Sequence, residues 1–264
     1  MGITELYSLS GVADEAMLSV RKAYGDTQVE LSCFITPWLP RMFLGEAAAL
    51  KWLITNALVV ALTNSRTGDG ICLMINGNQV SDEDYSLSIQ VVGADFGRLS
   101  IADARDSLRL AQKMAERMDA QLTVKEAHGK VKSFDIELIQ LVSDWQSAAV
   151  VHDPTQKKIL LYDKNKLRRN SVKENFASLG LRYRAAESNA ELFDALCGEV
   201  FTHVFTPEET ITDVLMFTLE QENPPAIISM KSEKSKKHDG ASGEVTLPLH
   251  SVNIAAAIEG AVAV

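Results

Sequence analysis

Apolar positions in the first half of the chain change period twice. Ala47, Leu50, Leu53, Ile54, Ala57 and Ala61 recur at helical spacing, which predicts a helix with one face in a core. Ile71, Leu73 and Ile75 then alternate, Asn76-Gly77-Asn78 reads as a turn, and Leu87, Ile89 and Val91 alternate again, so two adjacent antiparallel strands are expected. Leu108, Ala111, Ala115 and Met118 mark a second amphipathic helix, and strands over 122–125 and 134–138 flank a loop holding Gly129. This order predicts a mixed sheet with helices on one face.

The second half has a different rhythm. Ile159-Leu160-Leu161-Tyr162 is a continuous apolar run, as a parallel strand covered on both faces requires. Helical stripes (Leu167, Val172, Phe176, Leu179; then Leu192, Phe193, Leu196, Cys197; then Ile211, Val214, Leu215, Thr218, Leu219) alternate with strands marked by Leu181, Tyr183 and Ala185, by Val204-Phe205, and over 226–230 and 244–247, before a last helix over 252–261. Five strand–helix units predict a doubly wound parallel sheet. The strand pattern ends within 141–147, and His152-Asp153-Pro154 opens a new one. A linker over 146–156 is therefore expected between domains at 1–145 and 157–264. The Lys-rich tract 231–243 reads as a surface loop standing where a helix belongs.

Composition narrows the function classes. Of 264 residues 46% are hydrophobic and 23% charged, the balance of an ordinary globular protein. With 26 Lys plus Arg against 35 Asp plus Glu, the net charge of −9 is poorly matched to nucleic acid or an anionic membrane. Cys33, Cys72 and Cys197 are too scattered for a disulfide framework or a zinc finger, so a reducing cytoplasm is expected. The most apolar stretch, 50–62, is too short to cross a bilayer and contains Lys51, Thr55 and Asn56. The first residues lack the basic and apolar regions of a secretion signal, so neither export nor membrane anchoring is expected.

Leu50-Lys51-Trp52-Leu53-Ile54-Thr55-Asn56-Ala57, Leu87-Ser88-Ile89-Gln90-Val91, Leu108-Arg109-Leu110-Ala111 through Met118, and Phe134-Asp135-Ile136-Glu137-Leu138 follow one another in a characteristic order and spacing. Over residues 28–140 the chain resembles the ATP-binding domain of sensor histidine kinases. The resemblance implies a two-layer α/β sandwich with an Asn that holds Mg²⁺, an Asp that accepts a hydrogen bond from adenine, and lid glycines that let the backbone approach phosphates. Asn56 stands at the metal position, but Trp52 and Val59 replace the polar residues expected around it. Gly93 falls where the adenine-reading carboxylate belongs, while Asp95-Phe96-Gly97 preserves an Asp-x-Gly triplet two residues late, which a bulge would correct. In the lid, Ser107 and Arg109 occupy glycine positions, and Asp103 and Asp106 read as helix-capping acids. The nucleotide-binding remnant is thus Asn56, Asp95 and Gly97. The residues before 28 leave no room for a complete phosphoacceptor hairpin. None of His128, His152, His203, His238 and His250 has a phosphoacceptor setting, so each is expected at the surface or in a structural role.

Ile159-Leu160-Leu161-Tyr162-Asp163 and Leu179-Gly180-Leu181 begin a region, 157–262, that resembles a response-regulator receiver domain. That resemblance implies clustered carboxylates for Mg²⁺, a phosphorylatable Asp, a hydroxyl and a Lys. Asp163 matches one acid, but its neighbour is Lys164 and the acceptor position falls at Thr206-Pro207. Ser229 and Met230 stand near the hydroxyl position, and Leu247 precedes Pro248 in place of the Lys. Lys164 is either an internal partner of Asp163 or part of an exposed pair. Glu208 and Glu209 read as first-turn acids of the following helix.

The two resemblances imply a hybrid histidine-kinase-like chain that has kept its cores and lost its reactive groups, with Asp163 as the acidic remnant, no catalytic residue, no metal site and no cofactor. Its partner would be a histidine kinase or phosphotransfer protein, with a second copy of the chain as another candidate and no role for nucleic acid or membrane. Trp38, Phe43 and Trp145 are candidate contacts, for which core or interface burial is the plainer explanation. The alternative is the ATP-binding catalytic and receiver portion of an active hybrid histidine kinase in a phosphorelay, holding Mg-ATP through Asn56 and a shifted Asp95. A small-molecule sensor reusing the emptied pocket is a third reading, and the sequence is also compatible with a piece of a larger kinase.

Overall fold

The computed structural model describes residues 3–24, 29–93, 101–127, 130–218, 223–232 and 240–260, without the side chains of 101–108, 127 and 130. The chain divides into two compact units, Met1–Ala148 and Ala149–Val264.

The first unit runs β1 (Glu5–Tyr7), α1 (Leu9–Tyr24), β2 (Glu30–Ile35), β3 (Pro40–Gly45), α2 (Ala47–Thr63), β4 (Gly70–Gln79), β5 (Asp84–Gly93), α3 (Ile101–Arg117), β6 (Gln121–Ala127) and β7 (Lys130–Ser147). Its seven strands lie in the order β1-β3-β7-β5-β4-β2, with β6 also paired to β7. Among its described strand pairs only β2 with β4 is parallel. Ile71, Leu73, Ile75, Leu87, Ile89 and Val91 are completely buried on one face, where α2 packs with α1 and α3 beside it. Strand alternation thus supplies the floor of the core and the helices its roof, a two-layer α/β sandwich.

One strand end differs from the sequence reading. β4 continues through Asn76-Gly77-Asn78 and stays paired with β5 as far as Gln79 opposite Tyr85. The chain reverses at residues 80–83 instead, where the amides of Glu83 and Asp84 donate to Ser81 Oγ and those of Val80 and Ser81 to the Asp84 carbonyl. A hydroxyl that satisfies two amides makes the tighter turn. The residues before 28 also hold β1 and a 16-residue helix whose buried Val12, Ala13, Ala16, Met17 and Val20 have helical spacing.

The second unit opens with a 3₁₀ turn (Pro154–Gln156) and continues β8 (Lys158–Tyr162), α4 (Lys166–Ser178), β9 (Arg182–Ala186), α5 (Asn189–Gly198), β10 (His203–Pro207), a 3₁₀ turn (Glu208–Thr210), α6 (Ile211–Thr218), β11 (Ala226–Lys231), β12 (Gly243–Thr246) and α7 (Ser251–Gly260). All five strands are parallel, in the order β12-β11-β10-β8-β9. Val172, Phe176, Ile254 and Ile258 of α4 and α7 bury one face of the sheet. Leu192, Leu196, Ile211 and Val214 of α5 and α6 bury the other. The sheet is therefore doubly wound, as expected for a receiver-like fold. Gly180, at φ +69°, ends α4 by turning its N–H and that of Leu181 back to the carbonyls of Ala177 and Phe176.

Between β11 and β12, Ser232 and residues 240–242 are not helical, and 233–239 lie outside the described residues. Lys231 belongs to the strand rather than a loop, ion-paired with Glu244. Among the described residues no helix is long and apolar enough to cross a membrane.

Candidate functional site

In a doubly wound sheet, groups that bind or react collect where the strands end at their C-terminal edge. At that edge stand Asp163 after β8, Glu187 after β9, Pro207 as the last residue of β10 and Glu209 just beyond it. Asp163 leaves the sheet with its backbone N–H still bonded to the Ala186 carbonyl, and its carboxylate is completely buried. Asn165 then caps α4, its side chain accepting from the amides of Leu167 at 3.0 Å and Arg168 at 3.2 Å. Capping fixes the first helical turn and swings Arg168 back over Asp163.

The guanidinium closes on both carboxylate oxygens. Arg168 Nε donates to Oδ2 at 2.5 Å and Nη2 to Oδ1 at 3.0 Å, while the Asn165 amide donates to Oδ1 at 2.8 Å. Arg168 Nη2 also reaches Glu209 Oε1 at 3.2 Å. Arg169 donates to the Asp163 carbonyl at 2.6 Å and pairs with Glu187. Two consecutive arginines therefore tie three strand ends together.

Lys164 is not the partner of Asp163. Side chains alternate along an extended chain, so Lys164 follows Tyr162 to the opposite side, 3.4 Å from Asp213 and with its ammonium 5.6 Å from the Tyr162 ring centroid. The Tyr162 hydroxyl donates to Asn189 at 2.5 Å. Burial pushes the Tyr162 pKa up against the opposing pull of Lys164.

Where the resemblance expects an acceptor, a hydroxyl and a Lys, the chain has Pro207, Ser229 with Met230, and Leu247. Pro207 ends β10, and Thr206 before it is buried with its hydroxyl 2.8 Å from that of Thr210. Ser229 lies beside Thr206 in the sheet and is buried, and the Leu247–Pro248 peptide is cis. A hard divalent ion needs several convergent oxygens, and both oxygens of Asp163 already face a guanidinium. The donor set does not fit a metal, and among the described residues no group of three or more His, Cys, Asp or Glu could hold one. Glu208 and Glu209 form the 3₁₀ turn ahead of α6, and Glu209 faces Arg168.

In the first unit, Asn56 lies half-buried on α2 and turns its amide nitrogen onto the Trp52 carbonyl at 2.7 Å, within its own helix. β5 ends at Gly93, paired with Ile71, so no carboxylate stands there. Asp95 and Gly97 lie outside the described residues, as do the side chains of Asp103, Asp106 and Ser107; Arg109 is exposed. The structure therefore brings none of the nucleotide-binding remnant into a described constellation.

His203 is buried at the start of β10, 2.9 Å from the Thr202 hydroxyl, and its pKa is held below 6.5 by burial and by nearby Lys157. His250 is buried at the start of α7, where its N–H donates to Asn253. Exposed His152 pairs with Glu259 at 2.8 Å. His128 and His238 fall outside the described residues. Of the candidate contacts, Phe43 is completely buried, whereas Trp38 and Trp145 are exposed. The grip of Arg168 was missed in the sequence. Its signal is a pair of arginines in the first turn of α4, where the helix dipole favours acids, immediately after a buried acid.

The chain is similar to the crystal structure of full-length ShkA in complex with AMPPNP, at 14% identity and a TM-score of 0.70, over 99% of this chain and 58% of that one. It is also similar to the mycobacterial sensor histidine kinase MprB, at 17% identity and a TM-score of 0.39 over 52% of this chain and 98% of that one. A histidine kinase from Burkholderia phymatum STM815 matches at 16% identity and a TM-score of 0.41, over 53% of this chain and 72% of that one. The likeness to ShkA is one of fold, and this chain spans less than two thirds of its length. No family model and no curated protein matches the sequence.

Proposed function

We propose that this chain is a two-component signalling protein, built like the catalytic and receiver parts of a hybrid histidine kinase, that works noncatalytically by contact with a histidine kinase or phosphotransfer protein. The observation that carries this reading is the edge of the second unit, where Arg168 engages both oxygens of Asp163; Pro207, which ends β10, stands where the receiver resemblance expects the acceptor. Proline offers no nucleophilic oxygen, and phosphoryl transfer to a receiver needs both an attacking carboxylate and a metal beside it. A module of this kind offers partners a fixed surface instead of a switched one. A cytoplasmic setting agrees with Cys33, Cys72 and Cys197, none of which is in a disulfide.

The test is incubation of the full chain with Mg²⁺ and a small-molecule phosphodonor, followed by intact mass measurement, and thermal melting with and without Mg-AMPPNP. No added phosphoryl mass and no melting shift are expected. A nucleotide bound at a hundred times its dissociation constant would add about 2.7 kcal/mol of stability, a readily seen shift. The second reading, the ATP-binding and receiver portion of an active hybrid kinase, is favoured by the fold likeness to ShkA, whose structure holds AMPPNP, and by Asn56 on α2. A clear shift with Mg-AMPPNP decides for it.

A further inference from the structure

We infer that Arg168 is a resident cation, bridging at the edge of the second unit the two carboxylates that a divalent ion would otherwise be able to bridge. Asp163 comes from the end of β8 and Glu209 from the turn after β10, and one guanidinium nitrogen, Nη2, lies 3.0 Å from the first and 3.2 Å from the second. The carboxylate of Asp163 is completely buried and Arg168 is 16% exposed, so the contact is made largely out of water. A planar fork donating through two nitrogens to one carboxylate fixes distance and orientation together, which a lysine ammonium does not. Asn165 holds the fork in place from the helix cap, and the neighbouring Arg169 ties the third strand end through Glu187.

Charge neutralisation and loop bridging are what a divalent cation does between oxygen ligands on two loops. Here a side chain five residues along the chain performs both. Lys164, next to Asp163 in sequence, is directed to Asp213 and Tyr162, so it does not compete for Asp163. The arrangement leaves the second unit without dependence on metal and holds its strand ends in one state. It deepens the noncatalytic reading of this unit by naming what replaced the metal.

The test is a melting series on the full chain in EDTA and in millimolar MgCl₂. Wild type and Arg168→Lys should melt at the same temperature in both. Arg168→Ala should melt lower in EDTA and regain several degrees with Mg²⁺, because Asp163 and Glu209 then face a vacated position. The regain should vanish in Asp163→Asn/Arg168→Ala. Should Arg168→Ala not fold, Arg168→Gln is read in the same way. A lack of Mg²⁺ response in both neutral variants, or an equal response in wild type, overturns the inference. Failure here is distinct from failure of the noncatalytic reading, which falls if wild type acquires a phosphoryl group whatever the variants do.

Discussion

Gly77 in β4 lies against the ring of Tyr85 in β5: a Cβ at residue 77 would come within 2.5 Å of Tyr85 Cε1 and closer still to the Ser86 carbonyl. The strand pair therefore closes over a position that admits no side chain. Tyr85 in turn meets Phe43 edge-on at 6.0 Å and Trp145 at 6.2 Å, so it has little room to move aside.

Gly77→Ala should accordingly destabilise the first unit by about 1–3 kcal/mol, the usual cost of forcing an extra group into a packed site. Gly198→Ala is the control, since a Cβ there meets nothing within 4 Å. Urea unfolding of both variants checks the contrast, and equal midpoints would show that Tyr85 and the Ser86 carbonyl both yield freely.

Phe43 and Trp38 are both large aromatics near β3, with opposite surroundings. Phe43 is 0% exposed between Tyr7 and Tyr85, whereas Trp38 is 63% exposed. Phe43→Ala should cost about 3–5 kcal/mol through the cavity it leaves. Trp38→Ala should change stability by no more than about 0.5 kcal/mol, as for other surface sites. Chemical denaturation distinguishes them, and a large loss at Trp38 would mean that it is covered in solution.

These contrasts show what the sequence can reveal. The alternation of Ile71, Leu73, Ile75, Leu87, Ile89 and Val91 and the run Ile159-Leu160-Leu161-Tyr162 are one-dimensional signals, because burial on a strand follows directly from position. The end of β4 was misplaced because Asn76-Gly77-Asn78 has turn composition, whereas the actual turn depends on the side chain of Ser81 meeting amides further along. Asp163 was legible as an acid at a strand end. Its partner was not: Lys164 is adjacent in sequence, but strand alternation sends it away and one helical turn brings Arg168 back. Partner choice is a property of three dimensions, and spacing alone ranks the nearer cation first.

His203 gives the second unit a pH dependence. It is buried at the start of β10, and burial with Lys157 nearby holds its folded pKa below 6.5, against weaker opposing contributions from Ile258 and Glu259. The unfolded ring therefore binds a proton more readily than the folded one. The contribution of neutral, buried His203 to stability is fully present above 6.5, is lost as pH drops through 6.5 toward the depressed value, and changes no further below it. His203→Gln should flatten this part of the curve. Melting temperatures of the two proteins across mildly acidic pH provide the check, and parallel curves would assign the dependence to other groups.

The last prediction concerns the energy of the grip on Asp163. Removing one member of a buried ion pair costs about 3–5 kcal/mol, chiefly because the survivor keeps its desolvation penalty without compensation. Arg168→Met leaves Asp163, 0% exposed, with only the Asn165 amide among the donors described above, so it should fall within that range. Asp163→Asn should cost less, since Arg168 is 16% exposed, retains Glu209, and still finds an amide oxygen at residue 163. The double variant Asp163→Asn/Arg168→Met should lose less than the two singles together, with a coupling of about 0.5–3 kcal/mol, because removing the charge at residue 163 relieves the penalty that Arg168→Met creates. Urea titrations of the four proteins measure that coupling. Strict additivity would mean that the two charges are separately solvated in solution, and the bidentate contact would then contribute nothing to holding α4 against the end of β8.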